Sequence, residues 1–267
     1  MPAMKDKVVV ITGGSMGIGE ALANACHARG AKVVLAARNA EQLAAVVSRL
    51  GDRALAVPTD VSKRADNERL VARAIETFGG VDVFVANAGR GITRVPSQLT
   101  DADVDDMFDT NFKSVLYAIH ATLPHFKDKK RGHLLAVSSM LGRIPFTPIR
   151  SAYSAAKAAV NSLMGSLRIE LRPFPEIYAT TVLPGIVATS FGTNALHGGA
   201  DSRTFPGAQP VEEVANVIVG AIDKPRAEVH TRHQMLEAQA KFYAAEDIGT
   251  IEATLGVPPG GPPPTSR

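Results

Sequence analysis

The sequence predicts an α/β protein, a doubly wound parallel sheet with helices on both faces in a single domain. Short β-branched runs alternate with helix-like segments from residue 7 to about 230, and no linker-like change in composition interrupts them. The first run, 7–12, is continuously apolar, which is typical of a strand buried on both faces. Strands separated by one helix each run parallel, with right-handed crossovers.

Each element of this alternation has its own signal. β-Branched and apolar runs predict strands at 7–12, 32–36, 54–57, 81–86, 133–138, 177–183 and, as a short last strand, 228–230. Helical patterning predicts helices at 17–29, 39–51, 63–78, 100–125, 151–171 and 211–222. Asn39 and Thr100 have the side chains of N-caps, and Pro184 with Gly185 ends the sixth strand. We expect one domain over 1–250 and a Pro/Gly-rich, disordered tail over 251–267.

Composition excludes several classes of function. The 267 residues carry 29 Lys and Arg against 26 Asp and Glu, so the net charge is only +3, and we expect no nucleic-acid partner. The seven His show no metal-ligand spacing, and we expect no metal. The single Cys26 cannot form an internal disulfide, which fits a reducing compartment. An N-terminus without an apolar segment, and no apolar run of about 18 residues, predict a cytoplasmic protein without a membrane partner.

A glycine-rich turn follows the first predicted strand. Glycines at such a turn allow the backbone to approach a pyrophosphate, and the N-terminus of the following helix supplies N–H donors. A glycine-rich turn can also do no more than connect a strand to a helix. We expect cofactor contacts at Thr12, Gly13, Ser15, Met16, Gly17, Ile18 and Gly19.

Tyr153 and Lys157 stand four residues apart in an alanine-rich run, so their side chains project from one helix face. A free phenol has a pKa of roughly 10, and an ammonium one helical turn away lowers that pKa. Tyr153 is therefore predicted to exchange protons near neutrality. Taken alone, the pair is more typical of an exposed helix surface.

Six separated motifs occur in an order that resembles the short-chain dehydrogenase/reductase family: Thr12-Gly-x-x-x-Gly-x-Gly19, Asn87-Ala88-Gly89, Asn111, Ser139, Tyr153-x-x-x-Lys157 and Pro184-Gly185. The resemblance covers about residues 5 to 230. It implies a Rossmann-like fold, a nicotinamide dinucleotide, hydride transfer between a carbonyl and an alcohol carbon, and a homotetramer or homodimer. The helices around 100–125 and 151–171 resemble the family's subunit interface.

The end of the second predicted strand bears on the cofactor. Ala37 stands where an NAD-preferring relative has an aspartate, and Arg38 beside it can meet a ribose 2′-phosphate, so NADP(H) is favoured and NAD(H) remains possible. Met16 is neutral where many NADP-preferring relatives carry a second basic residue. By resemblance, further cofactor contacts are expected at Asp60, Val61, Asn87, Ala88, Gly89, Tyr153, Lys157, Pro184, Gly185, Val187 and Thr189, with a turn role as the alternative for Asp60.

The resemblance also assigns a catalytic group of Asn111, Ser139, Tyr153 and Lys157. Tyr153 would donate a proton to the developing alkoxide, and Ser139 would hold that oxygen. Lys157 would bind the nicotinamide ribose, and Asn111 would hold a water that links Lys157 to solvent. Ser139 lies 14 residues before Tyr153 where 13 is usual, which suggests an insertion between 142 and 151, and Ser138 is the alternative hydroxyl.

The substrate is a small carbonyl or alcohol compound that the sequence does not identify. Residues 190–210 correspond to the family's substrate lid, and their apolar side chains favour an apolar or mixed ketone. Two interpretations account for the arginines at the expected mouth: they meet a carboxylate or a carrier-protein phosphate, or they are solvated. A 3-oxoacyl-thioester reductase and a non-catalytic dinucleotide-binding sensor or scaffold are the alternative functions. The mouth arginines are Arg90, Arg94, Arg143 and Arg150.

Overall fold

A seven-stranded parallel sheet forms the centre of the protein, as seen in a computed structural model that describes residues 4–254. Every strand pair is parallel, and the order across the sheet is β3-β2-β1-β4-β5-β6-β7. The predicted doubly wound, Rossmann-like single domain is thereby confirmed. The strands are β1 Val8–Thr12, β2 Lys32–Ala37, β3 Ala54–Pro58, β4 Val83–Ala86, β5 Gly132–Val137, β6 Ile177–Leu183 and β7 Glu228–His230.

Nine α-helices in the described chain connect and follow these strands. Three of them, α1, α2 and α7, cover one face of the sheet, and α3, α5 and α6 cover the other. Cys26 of α1 is fully buried in the first layer, and burial raises the pKa of its thiol to about 12. The helices are α1 Gly17–His27, α2 Ala40–Leu50, α3 Arg64–Phe78, α4 Asp101–Phe108, α5 Ser114–Lys129, α6 Ser151–Glu170, α7 Val211–Asp223, α8 His233–Tyr243 and α9 Gly249–Glu252.

The predicted helix caps are present. The Asn39 side chain accepts a hydrogen bond from the backbone N–H of Gln42, and Thr100 forms a reciprocal capping box with Asp103. The continuous helix predicted over 100–125 is wrong in its interior, because α4 and α5 are joined by a π-helical segment, Asp109–Lys113.

The chain beyond β7 was not predicted to form helices. In α8 only Phe242 is fully buried, so the apolar periodicity that identifies a helix from sequence is weak. The predicted disordered tail, 251–267, begins inside the described chain, where residues 251–254 complete α9 and a turn. The rest of that tail, 255–267, lies outside the described residues.

The strand order reverses between β1 and β4, which are hydrogen-bonded neighbours although β2 and β3 lie between them in sequence. Ligands of doubly wound sheets bind outside the carboxyl ends of the strands at such a reversal. The loops after β1, β4, β5 and β6 all leave the sheet at this edge, and they carry the motifs identified from sequence.

Candidate active site

The glycine-rich loop lies between β1 and α1. Gly13 and Gly17 have φ angles of +67° and +57°, a region that side chains with a Cβ rarely adopt. A Cβ added to Gly19 would lie 2.1 Å from the Gly13 carbonyl oxygen, so the first turn of α1 packs directly on the loop. Met16 is exposed at the top of the loop, Ser15 is half-buried beside it, and Ile18 packs towards the core.

This loop fits a dinucleotide diphosphate. The first N–H groups of α1 have no intrahelical acceptor, and the Cβ-free backbone leaves a surface that a phosphate can approach closely. The predicted loop residues are therefore brought together at the N-terminus of α1.

Thr12 joins the ends of β1 and β4. Its hydroxyl accepts hydrogen bonds from the backbone N–H groups of Asn87 and Ala88, each at 3.0 Å. The Asn87 side chain in turn donates to the Thr12 carbonyl at 2.9 Å. The Thr12 side chain is 3 % exposed, so its role in the described structure is to fix the two loops relative to each other.

The ends of β2 and β3 contribute Arg38 and Asp60. Arg38 is exposed immediately after β2, and it makes no ion pair within the described residues. The Asp60 carboxylate accepts hydrogen bonds from the backbone N–H and the hydroxyl of Ser62, at 3.1 and 2.7 Å. The turn role weighed for Asp60 is therefore present. Val61 beside it is buried, and its carbonyl accepts from Asn67.

Tyr153 and Lys157 lie on the inner face of α6, 7 % and 3 % exposed. The Lys157 ammonium donates to the Val137 carbonyl at 2.9 Å, at the end of β5, and lies 5.7 Å from the centroid of the Tyr153 ring. Burial lowers the pKa of Lys157 to about 8. One protein acceptor leaves two of the three ammonium protons available to a ligand.

The protonation of Tyr153 differs from the expectation. Burial raises its pKa to about 12, and the hydrogen bond with Ser139 and the charge of Arg150 lower it only in part. The Lys157 ammonium is directed to the Val137 carbonyl. With this raised pKa Tyr153 is a neutral phenol near pH 7, a form that donates a proton rather than accepts one.

Ser139 and Ser138 face different partners. The Ser139 side chain lies beside the Tyr153 phenol, whose pKa it lowers, and its hydroxyl accepts from the backbone N–H of Leu141 at 3.1 Å. The Ser138 hydroxyl donates to the backbone carbonyl of Lys157 at 3.2 Å, so it is directed at the backbone of α6. The structure therefore brings Ser139, and not Ser138, to the phenol.

Asn111 lies in the π-helical segment and is fully buried, which differs from a solvent-facing helix asparagine. Its side-chain amide donates to the carbonyls of Arg90 and Met107, at 2.9 and 3.0 Å, and its oxygen accepts from the Arg90 N–H at 3.1 Å. A Cβ added to Gly89 would lie 2.8 Å from that oxygen and 3.5 Å from the Lys157 ammonium nitrogen. Gly89 thus permits Asn111 and Lys157 to converge on the end of β4.

The loop after β6 closes the site on its other side. The Pro184 carbonyl accepts from the Met140 N–H at 2.9 Å, which joins the ends of β6 and β5. Gly185 is covered by the Met235 side chain of α8. Val187 is buried and pairs with Gln209. The Thr189 methyl group would lie 3.2 Å from a Cβ on Gly17, so this loop contacts the glycine-rich loop.

The predicted lid, 190–210, lies over Tyr153. The Phe191 ring packs edge-on against the Tyr153 ring, with centroids 5.4 Å apart. Leu196 forms backbone hydrogen bonds with Gly91 and Thr93, and the His197 ring is 2.6 Å from an Asp103 carboxylate oxygen. The lid is therefore attached to the loop that follows β4.

One residue near the site was not identified from sequence. Asn161 is 4 % exposed and donates to the Gly142 carbonyl at 3.0 Å, which holds the turn that begins at Ser139. Its signal was present in the sequence, because Tyr153, Lys157 and Asn161 recur every four residues on the inner face of α6.

Known proteins share this fold and these motifs. The family model described as short chain dehydrogenase matches residues 7–198. An uncharacterized oxidoreductase of Staphylococcus aureus (strain MRSA252) is 36% identical over 230 residues, which cover 85% of this chain and 95% of the relative. The chain therefore belongs to the short-chain dehydrogenase/reductase family, and it is an oxidoreductase of that family.

Solved structures agree with this assignment. A short chain dehydrogenase/reductase from Burkholderia phymatum in complex with NAD superposes with a TM-score of 0.82 at 26% identity, covering 94% of this chain and 97% of that one. An alcohol dehydrogenase from Thermococcus sibiricus, complexed with 5-hydroxy-NADP, gives a TM-score of 0.74 at 29% identity, covering 85% and 96%. Structural relatives thus include both NAD-bound and NADP-type complexes.

Proposed function

We propose that this protein is an NADP(H)-preferring ketoreductase that interconverts a carbonyl and a secondary alcohol, with Tyr153 as the proton donor and acceptor. The observation that carries the proposal is the contact of the Ser139 hydroxyl with a neutral, buried Tyr153 phenol on the face of α6 that also holds Lys157. A protein that only senses a dinucleotide needs no such proton donor.

The chain's own residues divide the work of the reduction. A nicotinamide dinucleotide supplies the hydride when it is bound. Ser139 donates a hydrogen bond to the substrate oxygen, and Tyr153 gives that oxygen its proton as negative charge develops. Lys157 gives one ammonium proton to the Val137 carbonyl, and its other two, which have no acceptor in the described chain, hold the ribose.

Asn111 and Gly89 support this group from behind. The buried Asn111 amide fixes the backbone at Arg90, and its oxygen lies on the side of Gly89 that faces Lys157. A water bound between Asn111 and Lys157 would return protons from solvent. The residues proposed to hold the cofactor are those of the glycine-rich loop, Arg38, Asp60, Val61, residues 87–89, Tyr153, Lys157, Pro184, Gly185, Val187 and Thr189.

The preference for NADP(H) rests on the end of β2. Ala37 offers no carboxylate to a ribose 2′-hydroxyl, and the exposed Arg38 guanidinium has no carboxylate partner in the described chain. A guanidinium matches a 2′-phosphate with two parallel N–H donors. The neutral Met16 adds no second positive charge, so NAD(H) is accepted at a lower affinity.

NADPH and NADH oxidation at about 340 nm tests this function against a panel of ketones, diketones, aldehydes and an acetoacetyl thioester. We expect turnover with NADPH at a higher kcat/KM than with NADH. Exchange of Arg38 for Ala should weaken NADPH binding by about 10- to 100-fold and leave NADH binding nearly unchanged, since one charge-assisted contact is lost. Equal losses for both cofactors would contradict the role of Arg38.

We also propose a homotetramer or homodimer in the cytoplasm. The support is the family resemblance of the helices at 101–129 and 151–170 to subunit interfaces. Light scattering coupled to size-exclusion chromatography tests this assembly, and a monomer at micromolar concentration would contradict it. No helix within residues 4–254 is long and apolar enough to cross a bilayer.

A further inference from the structure

The arginines around the mouth of the site differ in their partners. Within the described chain, Arg90 pairs with Asp106 at 3.5 Å and Arg94 pairs with Asp103 at 2.8 Å. Arg143 pairs with Glu228, and Arg203 of the lid pairs with Asp201. Arg150 forms no ion pair with any described carboxylate, although it is half-buried.

Arg150 also lies close enough to Tyr153 for its charge to act on the phenol. It precedes Tyr153 by three residues at the start of α6, and its charge lowers the pKa of the phenol. Its Nη1 atom donates to the carbonyl of Ile92 at 2.9 Å, and Ile92 packs with Tyr153 in one apolar cluster. The guanidinium is thereby held in place from the side of the β4 loop.

The surroundings of Gly91 show how closely Arg150, the Phe191 ring and Tyr153 lie together. A Cβ added to Gly91 would lie 2.9 Å from Arg150 Nη1 and 2.9 Å from the Phe191 ring. That ring in turn packs edge-on against Tyr153. The guanidinium, the lid ring and the phenol therefore lie side by side along the same wall of the site.

A half-buried guanidinium without a counter-ion is unusual, because buried charges in proteins are normally paired. The Ile92 carbonyl takes one of five N–H donors. Tyr153 is neutral and does not balance the charge, and the nearby Asp103 carboxylate already bonds Arg94, His197 and the Thr100 N–H. The charge of Arg150 therefore remains available to an anion that enters with the substrate.

We propose that Arg150 determines substrate specificity by binding a carboxylate on the substrate, so that the preferred substrates are oxo acids or hydroxy acids rather than neutral ketones. A guanidinium holds a carboxylate through two parallel N–H donors, and that geometry would fix the substrate carbonyl against Tyr153. This inference rests on the proposed function and names its substrate class.

The test compares matched pairs of substrates. Oxo acids with the carboxylate one to three carbons from the carbonyl are assayed beside their methyl esters, with wild type, Arg150→Met and Arg150→Lys. We expect wild type to favour the best acid over its ester. Arg150→Met should lower kcat/KM for the acid by about 10- to 100-fold, the loss of one charge-assisted interaction, and change kcat/KM for the ester less than about threefold. Arg150→Lys should recover part of the loss, and Arg172→Met, at an exposed position just beyond the C-terminal end of α6, is the matched control.

Equal losses for acid and ester in Arg150→Met would overturn the proposal, because they would assign Arg150 only to holding the loop at Ile92. Turnover of esters without an Arg150-dependent preference for acids would leave the reductase function intact and refute this inference alone. If no ketone is reduced, the proposal is tested by thermal unfolding with NADPH present. Butyrate must raise the Tm of wild type more than butanamide does, and Arg150→Met must lose that difference. Equal protection by the two ligands would also refute it.

Discussion

His133 in β5 is predicted to make the folded protein sensitive to acid. The ring is 4 % exposed, and its Nε2 atom is 2.8 Å from the Thr180 hydroxyl oxygen. That hydroxyl donates its own proton to the Arg226 carbonyl at 2.6 Å, so it must accept from the histidine. The ring is therefore the neutral tautomer with its proton on Nε2, and Nδ1 is buried without a hydrogen-bond partner in the described chain.

A second proton on Nδ1 would be buried and unpaired. Burial, with a smaller effect from the charge of Lys7, lowers the pKa of His133 from 6.5 to about 3. Between those two values the unfolded chain binds a proton that the folded chain does not, so the free energy of unfolding falls as the pH falls through this window. A pH of about 4.5 lies about two pH units below the pKa of the unfolded chain. The free energy of unfolding is therefore about 2.7 kcal/mol lower there than at neutral pH.

The assay is urea unfolding followed by circular dichroism at about pH 7.5 and pH 4.5. His133→Gln keeps a hydrogen-bond donor for Thr180 and removes the titration, so it should lose about 2.7 kcal/mol less stability than wild type on going to the lower pH. His233→Gln, at a side chain that is 78% exposed, is the matched control and should behave as wild type. An equal pH dependence in His133→Gln and wild type would refute the reasoning.

Three further substitutions test the arrangement of the site. Gly89→Ala would place a methyl group 2.8 Å from the Asn111 oxygen, and we expect a stability loss of about 1–3 kcal/mol in urea unfolding together with a reduced kcat. Unchanged kcat would argue against a role of Asn111 beside Lys157. Ser139→Ala should lower kcat by about 10²- to 10³-fold. Ser138→Ala should cost only about 1 kcal/mol of stability, since the Ser138 hydroxyl bonds a backbone carbonyl. A larger loss of kcat in Ser138→Ala than in Ser139→Ala would assign the catalytic hydroxyl to Ser138 instead.

The strands were predictable from sequence for a physical reason. Parallel strands buried on both faces need uninterrupted apolar runs, and β1 and β4 have them almost throughout, so their positions are visible without tertiary information. The short β7, Glu228–His230, was also placed correctly. The glycine-rich turn after β1 was visible as well, because backbone with positive φ, as at Gly13 and Gly17, favours glycine.

Features that depend on tertiary contacts were not predictable. The π-helical segment has no signal of its own in 109–113. It contains Asn111, whose buried amide bonds two carbonyls, and such contacts exist only in the folded chain. The spacing of Tyr153 and Lys157 correctly placed both on one helix face, but it did not reveal that the Lys157 ammonium bonds Val137 or that burial raises the tyrosine pKa. Burial of this kind is a property of the assembled lid and sheet edge.

The most direct test of the proposed mechanism is single-turnover reduction by Tyr153→Phe beside Tyr178→Phe, with NADPH binding measured in the same preparations. Tyr178 lies near the start of β6, at the opposite edge of the sheet, so it controls for the loss of a phenol elsewhere. The mechanism predicts that Tyr153→Phe slows the chemical step by at least about 10²-fold, with NADPH affinity within about threefold of wild type, while Tyr178→Phe keeps normal turnover. Turnover by Tyr153→Phe at a rate close to that of wild type would contradict the assignment of Tyr153 as the proton donor.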